Sequence, residues 1–220
     1  MRKIRKYIFV FFLFLRERKW DLPLPPKKIS RLLAPNFWLT FLYLYQRRKL
    51  ETLSFNSNIK EFWIKNEHGK SKTYAQWLKT VFTKQYQVFV SENIFNLVLN
   101  NNPKNILEAG SGSGHTAACF LSFCEGKLLN DFNYTGVDLS TVRVDDSKKF
   151  ISKLTKGLDL KCNTKFIVGD LTKLEFEDLY FALTLIPSVL ERIDDGEIKK
   201  AISEICRVSK NYIFLSDFYD

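Results

Sequence analysis

The most constraining stretch of the sequence changes character twice within a few residues. Asn105-Ile106-Leu107-Glu108-Ala109 has the pattern of a short buried strand. Gly110-Ser111-Gly112-Ser113-Gly114 follows, and His115 to Leu121 then reads as a helix. A strand, a glycine turn and a helix in this order let the backbone approach a ligand closely. They also aim the amides of the helix N-terminus at that ligand. The chain is thereby directed toward an α/β fold with a ligand crevice at the carboxyl end of a parallel sheet.

The glycine spacing separates the cofactor classes. A dinucleotide fingerprint, G-x-G-x-x-G, would place its third glycine at position 115, where this chain has His115. No Gly-Lys-Ser/Thr closes the loop, so it is not a Walker A turn. The pattern is E-x-G-x-G-x-G, from Glu108 through Gly110 and Gly112 to Gly114.

Two further carboxylates stand at the ends of apolar runs. Tyr134-Thr135-Gly136-Val137-Asp138 reads as a second strand, and Lys165-Phe166-Ile167-Val168 as a third, followed by Gly169-Asp170-Leu171. A carboxylate at the end of a parallel strand borders the crevice and can accept both hydroxyl protons of a ribose. Leu179 to Ile186 reads as a fourth strand, running into Pro187-Ser188-Val189-Leu190-Glu191-Arg192-Ile193-Asp194-Asp195. Glu197 to Val208 is a helix by periodicity, and Asn211 to Leu215 a fifth strand.

Over residues 86–217 this series resembles class I S-adenosylmethionine-dependent methyltransferases. The resemblance implies a Rossmann-like, doubly wound, mostly parallel sheet that lacks the last two strands of the family, preceded by a helical N-terminal extension. It implies S-adenosylmethionine as cofactor, with Glu108, Gly110, Gly112, Gly114, Asp138, Asp170 and Leu171 as its binding set. Glu108 would anchor the methionine end, Asp138 the ribose, and Asp170 the adenine amino group. The segment after strand four resembles the "vLehi.d" stretch of small-molecule enzymes of this class. Arg192 stands where that stretch carries histidine, so a histidine-dependent acid/base role there is unsupported. The absent strands leave an edge to be covered by the N-terminal region or a second subunit, which opens a route to oligomers.

Charge divides the chain. Residues 1–50 hold 13 Lys/Arg against Glu17 and Asp21, while the remainder is close to neutral, so the net +10 is no argument for nucleic-acid binding. Within that segment, Tyr7–Leu15 and Leu32–Tyr45 are apolar, aromatic-rich runs flanked by bases and joined through Leu22-Pro23-Leu24-Pro25-Pro26. A helix over Tyr7–Leu15 would span about 14 Å, too short for a bilayer core of roughly 30 Å. Three readings stay open: an interfacial membrane contact, a helical lid or dimer surface packed on the domain, and, least favoured, a nucleic-acid role. The expected division is 1–50 extension, 51–100 helical lead-in and 101–220 cofactor domain. Within the lead-in, one helix repeats through Tyr74, Trp77 and Val81, and another opens at a Ser91 cap. Cys119, Cys124, Cys162 and Cys206 form no CxxC pair, and with two histidines no metal site is expected. Reduced thiols suit a cytoplasmic protein, peripheral at the membrane if the extension binds there.

Acceptor motifs of nucleic-acid and protein enzymes are absent. There is no Asn/Asp-Pro-Pro-Tyr after strand four and no Pro-Cys nucleophile. Elimination favours a small-molecule, lipid-linked or glycan acceptor. A general base is needed only if that acceptor must lose a proton, and His115, Tyr86 and Glu191 qualify by position. The alternatives are a noncatalytic or truncated methyltransferase-fold partner subunit and a nicotinamide-dependent oxidoreductase, the latter disfavoured by the glycine spacing.

Overall fold

The computed structural model describes residues 9–13, 74, 76–77, 85–127 and 131–217. Six strands form one sheet: β1 (Phe9–Leu13), β2 (Asn105–Ala109), β3 (Phe132–Asp138), β4 (Cys162–Val168), β5 (Phe181–Pro187) and β6 (Ser209–Asp217). Their order is β1-β6-β5-β2-β3-β4, and every pairing is parallel. Among the described residues the continuous helices are α1 (Gln85–Asn101), α2 (His115–Cys124), α3 (Thr141–Thr155) and α4 (Ile198–Val208), with one 3-10 turn at Leu190–Arg192, and Tyr74, Gln76 and Trp77 are also helical.

Alternation along the strands builds a core on each face. Ile106, Tyr134, Leu185 and Phe214 pack with α1, α2 and α3 on one side. Leu107, Val137, Ile186 and Ile213 pack with α4 on the other. The fold is therefore α/β, doubly wound and Rossmann-like. The chain reverses its direction of travel across the sheet between β2 and β5, which places the ligand crevice there.

The sequence reading of α1 is corrected. The helix begins at Gln85 and runs through Ser91. Val90, Ile94 and Val98 continue one buried stripe at four-residue spacing, so nothing stops the helix there. The Ser91 hydroxyl donates to the Thr116 carbonyl at 3.5 Å and is no N-cap. The helix α3, which the sequence reading passed over, opens at Ser140.

The expectation of a helix over Tyr7–Leu15 is also corrected. Phe9–Leu13 forms β1, pairing with β6 from Phe9 opposite Ile213 to Leu13 opposite Asp217. An unbroken apolar run shorter than three helical turns carries no helix period and serves equally as a buried strand. The edge of β6 supplies the hydrogen-bonding groups that favour the strand. Of the coverings expected for that edge, the chain's own N-terminal segment is the one that occupies it. The expectations for residues 14–50, including the Leu32–Tyr45 run, lie outside the described residues. Among the described residues no helix is long and apolar enough to cross a membrane.

Candidate functional site

The glycine turn folds back onto the end of β3. Gly110, with φ of 75°, and Ser111 both donate their amides to the Val137 carbonyl, at 2.8 and 2.9 Å. The next amide, from Gly112, donates to Asp138 Oδ2 at 2.8 Å. The other carboxylate oxygen, Oδ1, accepts the Ser140 amide at 2.9 Å. Ser140 in turn caps α3. Asp138 therefore ties the glycine loop to the start of α3, and its carboxylate is oriented from two sides.

Beside it lies a cleft of about 360 Å³ at the carboxyl ends of the strands. This lies within the roughly 300–1,000 Å³ of small-molecule sites. Gly110, Asp138, Leu139, Gly169, Asp170, Leu171 and Thr172 line one part. Ser188, Val189, Arg192, Ile193, Asp194 and Glu197 line the part that follows β5, and His115 and Arg143 complete the wall. Asp170 Oδ1 accepts the Thr172 amide and hydroxyl, at 2.9 and 2.8 Å. Asp138, Asp170, Leu171 and Gly110 are thus brought together at one cleft.

Glu108, Gly112 and Gly114 are not among the lining residues. Glu108 is 1% exposed and accepts the Tyr134 hydroxyl at 2.8 Å. Burial pushes its carboxyl from the usual 4.5 up to about 8, only partly offset by hydrogen bonds from Tyr134 and Thr116. Burial likewise raises the Tyr134 phenol, with Glu108 adding to the effect. Gly114, with φ of 77°, lies against α3, where an added Cβ would come within 3.0 Å of Ser147 Cβ. Gly112 contributes its amide to Asp138, as above.

Sequence reasoning missed Leu139, Arg143, Thr172, Ser188 and Val189 as lining residues. The Ser140 cap two residues after Asp138 is the available signal, because it starts a helix whose first turn must face the crevice. Arg143 lies over the glycine loop, its Nη1 3.8 Å from where a Gly112 Cβ would be. Burial lowers the Arg143 guanidinium, Asp138 opposes that shift, and Arg192 reinforces it. His115 lines the cleft and stacks on Trp77 at 5.9 Å. Trp77 is fully buried and donates Nε1 to the Ser113 carbonyl at 2.8 Å, bracing the loop from behind. The side chains of Tyr86 and Glu191 lie outside the described residues. Among the described residues no cluster of His, Cys, Asp and Glu could hold a metal ion.

The family model described as "Methyltransferase domain" matches residues 106–211, from β2 into β6. Residues 106–211 thus resemble a methyltransferase domain. The match takes in Glu108, the glycine loop, Asp138, Asp170 and the segment after β5. Solved structures similar to the chain include a protein from Pyrococcus horikoshii, at 21% identity and a TM-score of 0.46, covering 61% of this chain and 60% of that one. The YcgJ protein from Bacillus subtilis is 24% identical with a TM-score of 0.44, covering 56% and 46%. Magnesium protoporphyrin IX methyltransferase from Synechocystis PCC 6803, crystallised with bound SAH, is 14% identical with a TM-score of 0.48, covering 69% and 66%. The chain thus spans about half to two thirds of the length of these structures. No curated protein sequence matches it.

Proposed function

We propose that the chain is an S-adenosylmethionine-dependent methyltransferase acting on a small-molecule, lipid-linked or glycan acceptor. The observation that carries this reading is the Asp138 carboxylate, held by the amides of Gly112 and Ser140 at the rim of the cleft. Each of its oxygens retains acceptor capacity beyond the one amide it takes. The pair suits the two hydroxyls of a ribose. Asp170, fixed by Thr172, suits an adenine amino group, and Leu139 and Leu171 supply apolar walls for a purine.

The bound cofactor supplies a methyl group activated by a sulfonium. The residues orient it and the acceptor for in-line displacement, where proximity and alignment give most of the rate. Val189 packs against Gly110 and closes the floor between the two parts of the cleft. His115 is the lining residue placed to take a proton, where the acceptor carries one. Incubating the protein with methyl-labelled S-adenosylmethionine and a small-molecule extract tests this reading. Label should move into a non-protein product. S-adenosyl ligand binding without transfer to any fraction would favour a noncatalytic partner subunit.

A further inference from the structure

Near its C-terminal end, α4 carries a side-chain pair that holds a segment leading out of the cleft. Arg207 commits all five N–H groups of its guanidinium. Nε and Nη2 bracket the two oxygens of Glu204, both at 2.8 Å. The other donors reach the carbonyls of Leu174 and Phe176, each at 2.7 Å, and Asp178 Oδ1 at 2.9 Å. Glu204 Oε2 also accepts the Leu174 amide at 2.9 Å. Leu174 is thus tied to α4 through both of its backbone polar groups. Hydrogen bonding from Arg207, more than any other cause, holds the Glu204 carboxyl below its ordinary range.

Leu174 directly follows the turn that carries Asp170, Leu171 and Thr172 into the cleft. The Lys173 amide closes that turn on the Asp170 carbonyl at 3.0 Å, and Thr172 bonds to Asp170 Oδ1 inside it. These bonds set the shape of the turn but not its place. Its entry is placed by the Gly169 amide, which donates to the Asp138 carbonyl at 3.0 Å. Its exit is placed by Glu204 and Arg207. Further along, the Leu179 amide donates to the Arg207 carbonyl at 2.9 Å, and Leu179 is left-handed with φ of 61°. A leucine keeps that conformation only where its surroundings over-determine it. The anchor itself is firm, because Ile198, Ile202, Ile205 and Val208 bury α4 in the core.

We infer that Arg207, together with Glu204, is a positioning residue of the cleft, holding the Asp170–Lys173 turn where Asp170 meets the amino group of an adenine. Neither side chain lines the cleft, so both act through the turn. The adenine rests on the methyltransferase reading, while the hold on the turn stands on the hydrogen bonds alone.

Two measurements on the full chain test this. The first is calorimetry with S-adenosylhomocysteine and with its 6-deamino counterpart, in which hydrogen replaces the adenine amino group. Wild type should prefer the amino ligand by at least about tenfold, as expected for a hydrogen bond to a carboxylate. Arg207→Gln should cut that preference by at least about threefold, and Arg207→Lys, which keeps the charge but not the bracket, should recover part of it. The second is amide hydrogen exchange of the cofactor-free protein. Thr172 and Lys173 should exchange at least about tenfold faster in Arg207→Gln, with the Gly112 amide unchanged. A folded Arg207→Gln that keeps the wild-type preference overturns the inference, as does exchange that rises equally at Gly112. If Arg207→Gln does not fold, Glu204→Gln takes its place under the same comparisons. Wild type that binds no S-adenosylhomocysteine, or does not distinguish the two ligands, sinks the cofactor reading instead. The exchange of Thr172 and Lys173 then judges the hold on the turn by itself.

Discussion

Replacing Asp138 with asparagine separates its two tasks. Both carboxylate oxygens accept backbone amides, from Gly112 at 2.8 Å and Ser140 at 2.9 Å. Asparagine keeps the shape but offers one acceptor oxygen and one NH2. Whichever way the amide turns, one backbone N–H faces a donor. The loss of one charged hydrogen bond costs about 1.5–3 kcal/mol, and this falls on the glycine loop. A ribose bound at the same carboxylate loses its ionised acceptor, a second effect of about 1.5–3 kcal/mol, or roughly 10- to 150-fold in affinity. Calorimetry with S-adenosylhomocysteine, read beside the melting curve, measures the two terms. Asp138→Asn should lower both the melting temperature and the affinity. A lower melting temperature with an unchanged dissociation constant would refute the cofactor role and leave Asp138 as a staple of the loop.

Two further outcomes follow from the same geometry. Gly110→Ala should destabilise the fold more than Gly126→Ala, by about 1–3 kcal/mol in denaturant unfolding. Both residues have positive φ, but an added Cβ meets Val189 Cγ2 at 2.4 Å in the first case and nothing within 4 Å in the second. Equal losses would show that Val189 yields freely. Glu108 gives a pH signature. Its carboxyl is raised in the folded state from 4.5 to about 8, so folding takes up a proton between those values. Its contribution is most favourable below pH 4.5, is lost as pH rises toward 8, and is flat above. Glu108→Gln should remove that slope, seen as wild-type and variant stabilities that diverge from pH 5 to 8. Parallel curves would contradict the buried, protonated carboxyl.

The sheet was legible where strands end at chemistry. Asn105–Ala109 was read at its exact bounds, and Asp138 was placed at the end of its strand, because a glycine turn and a carboxylate punctuate the apolar runs. The starts of strands were less legible. β4 begins at Cys162, ahead of the predicted Lys165, since Cys162 to Thr164 are polar or half-exposed on an edge strand and show no apolar pattern. The Phe9–Leu13 strand is not legible locally, because its pairing with β6 joins opposite ends of the chain, which no local pattern reports. In the cleft, residues carried by a motif were found. Arg143 and Val189 were not, because only the folding of α3 and the post-β5 segment over the loop brings them there.

The central claim concerns the cofactor, and calorimetry of the full chain with S-adenosylhomocysteine and with NAD tests it most directly. The glycine spacing, the amide-held Asp138 and the position of Asp170 require S-adenosylhomocysteine to bind, with an affinity weakened by Asp138→Asn, and NAD to give no heat above dilution. Saturable binding of NAD, with none of S-adenosylhomocysteine, would contradict the account.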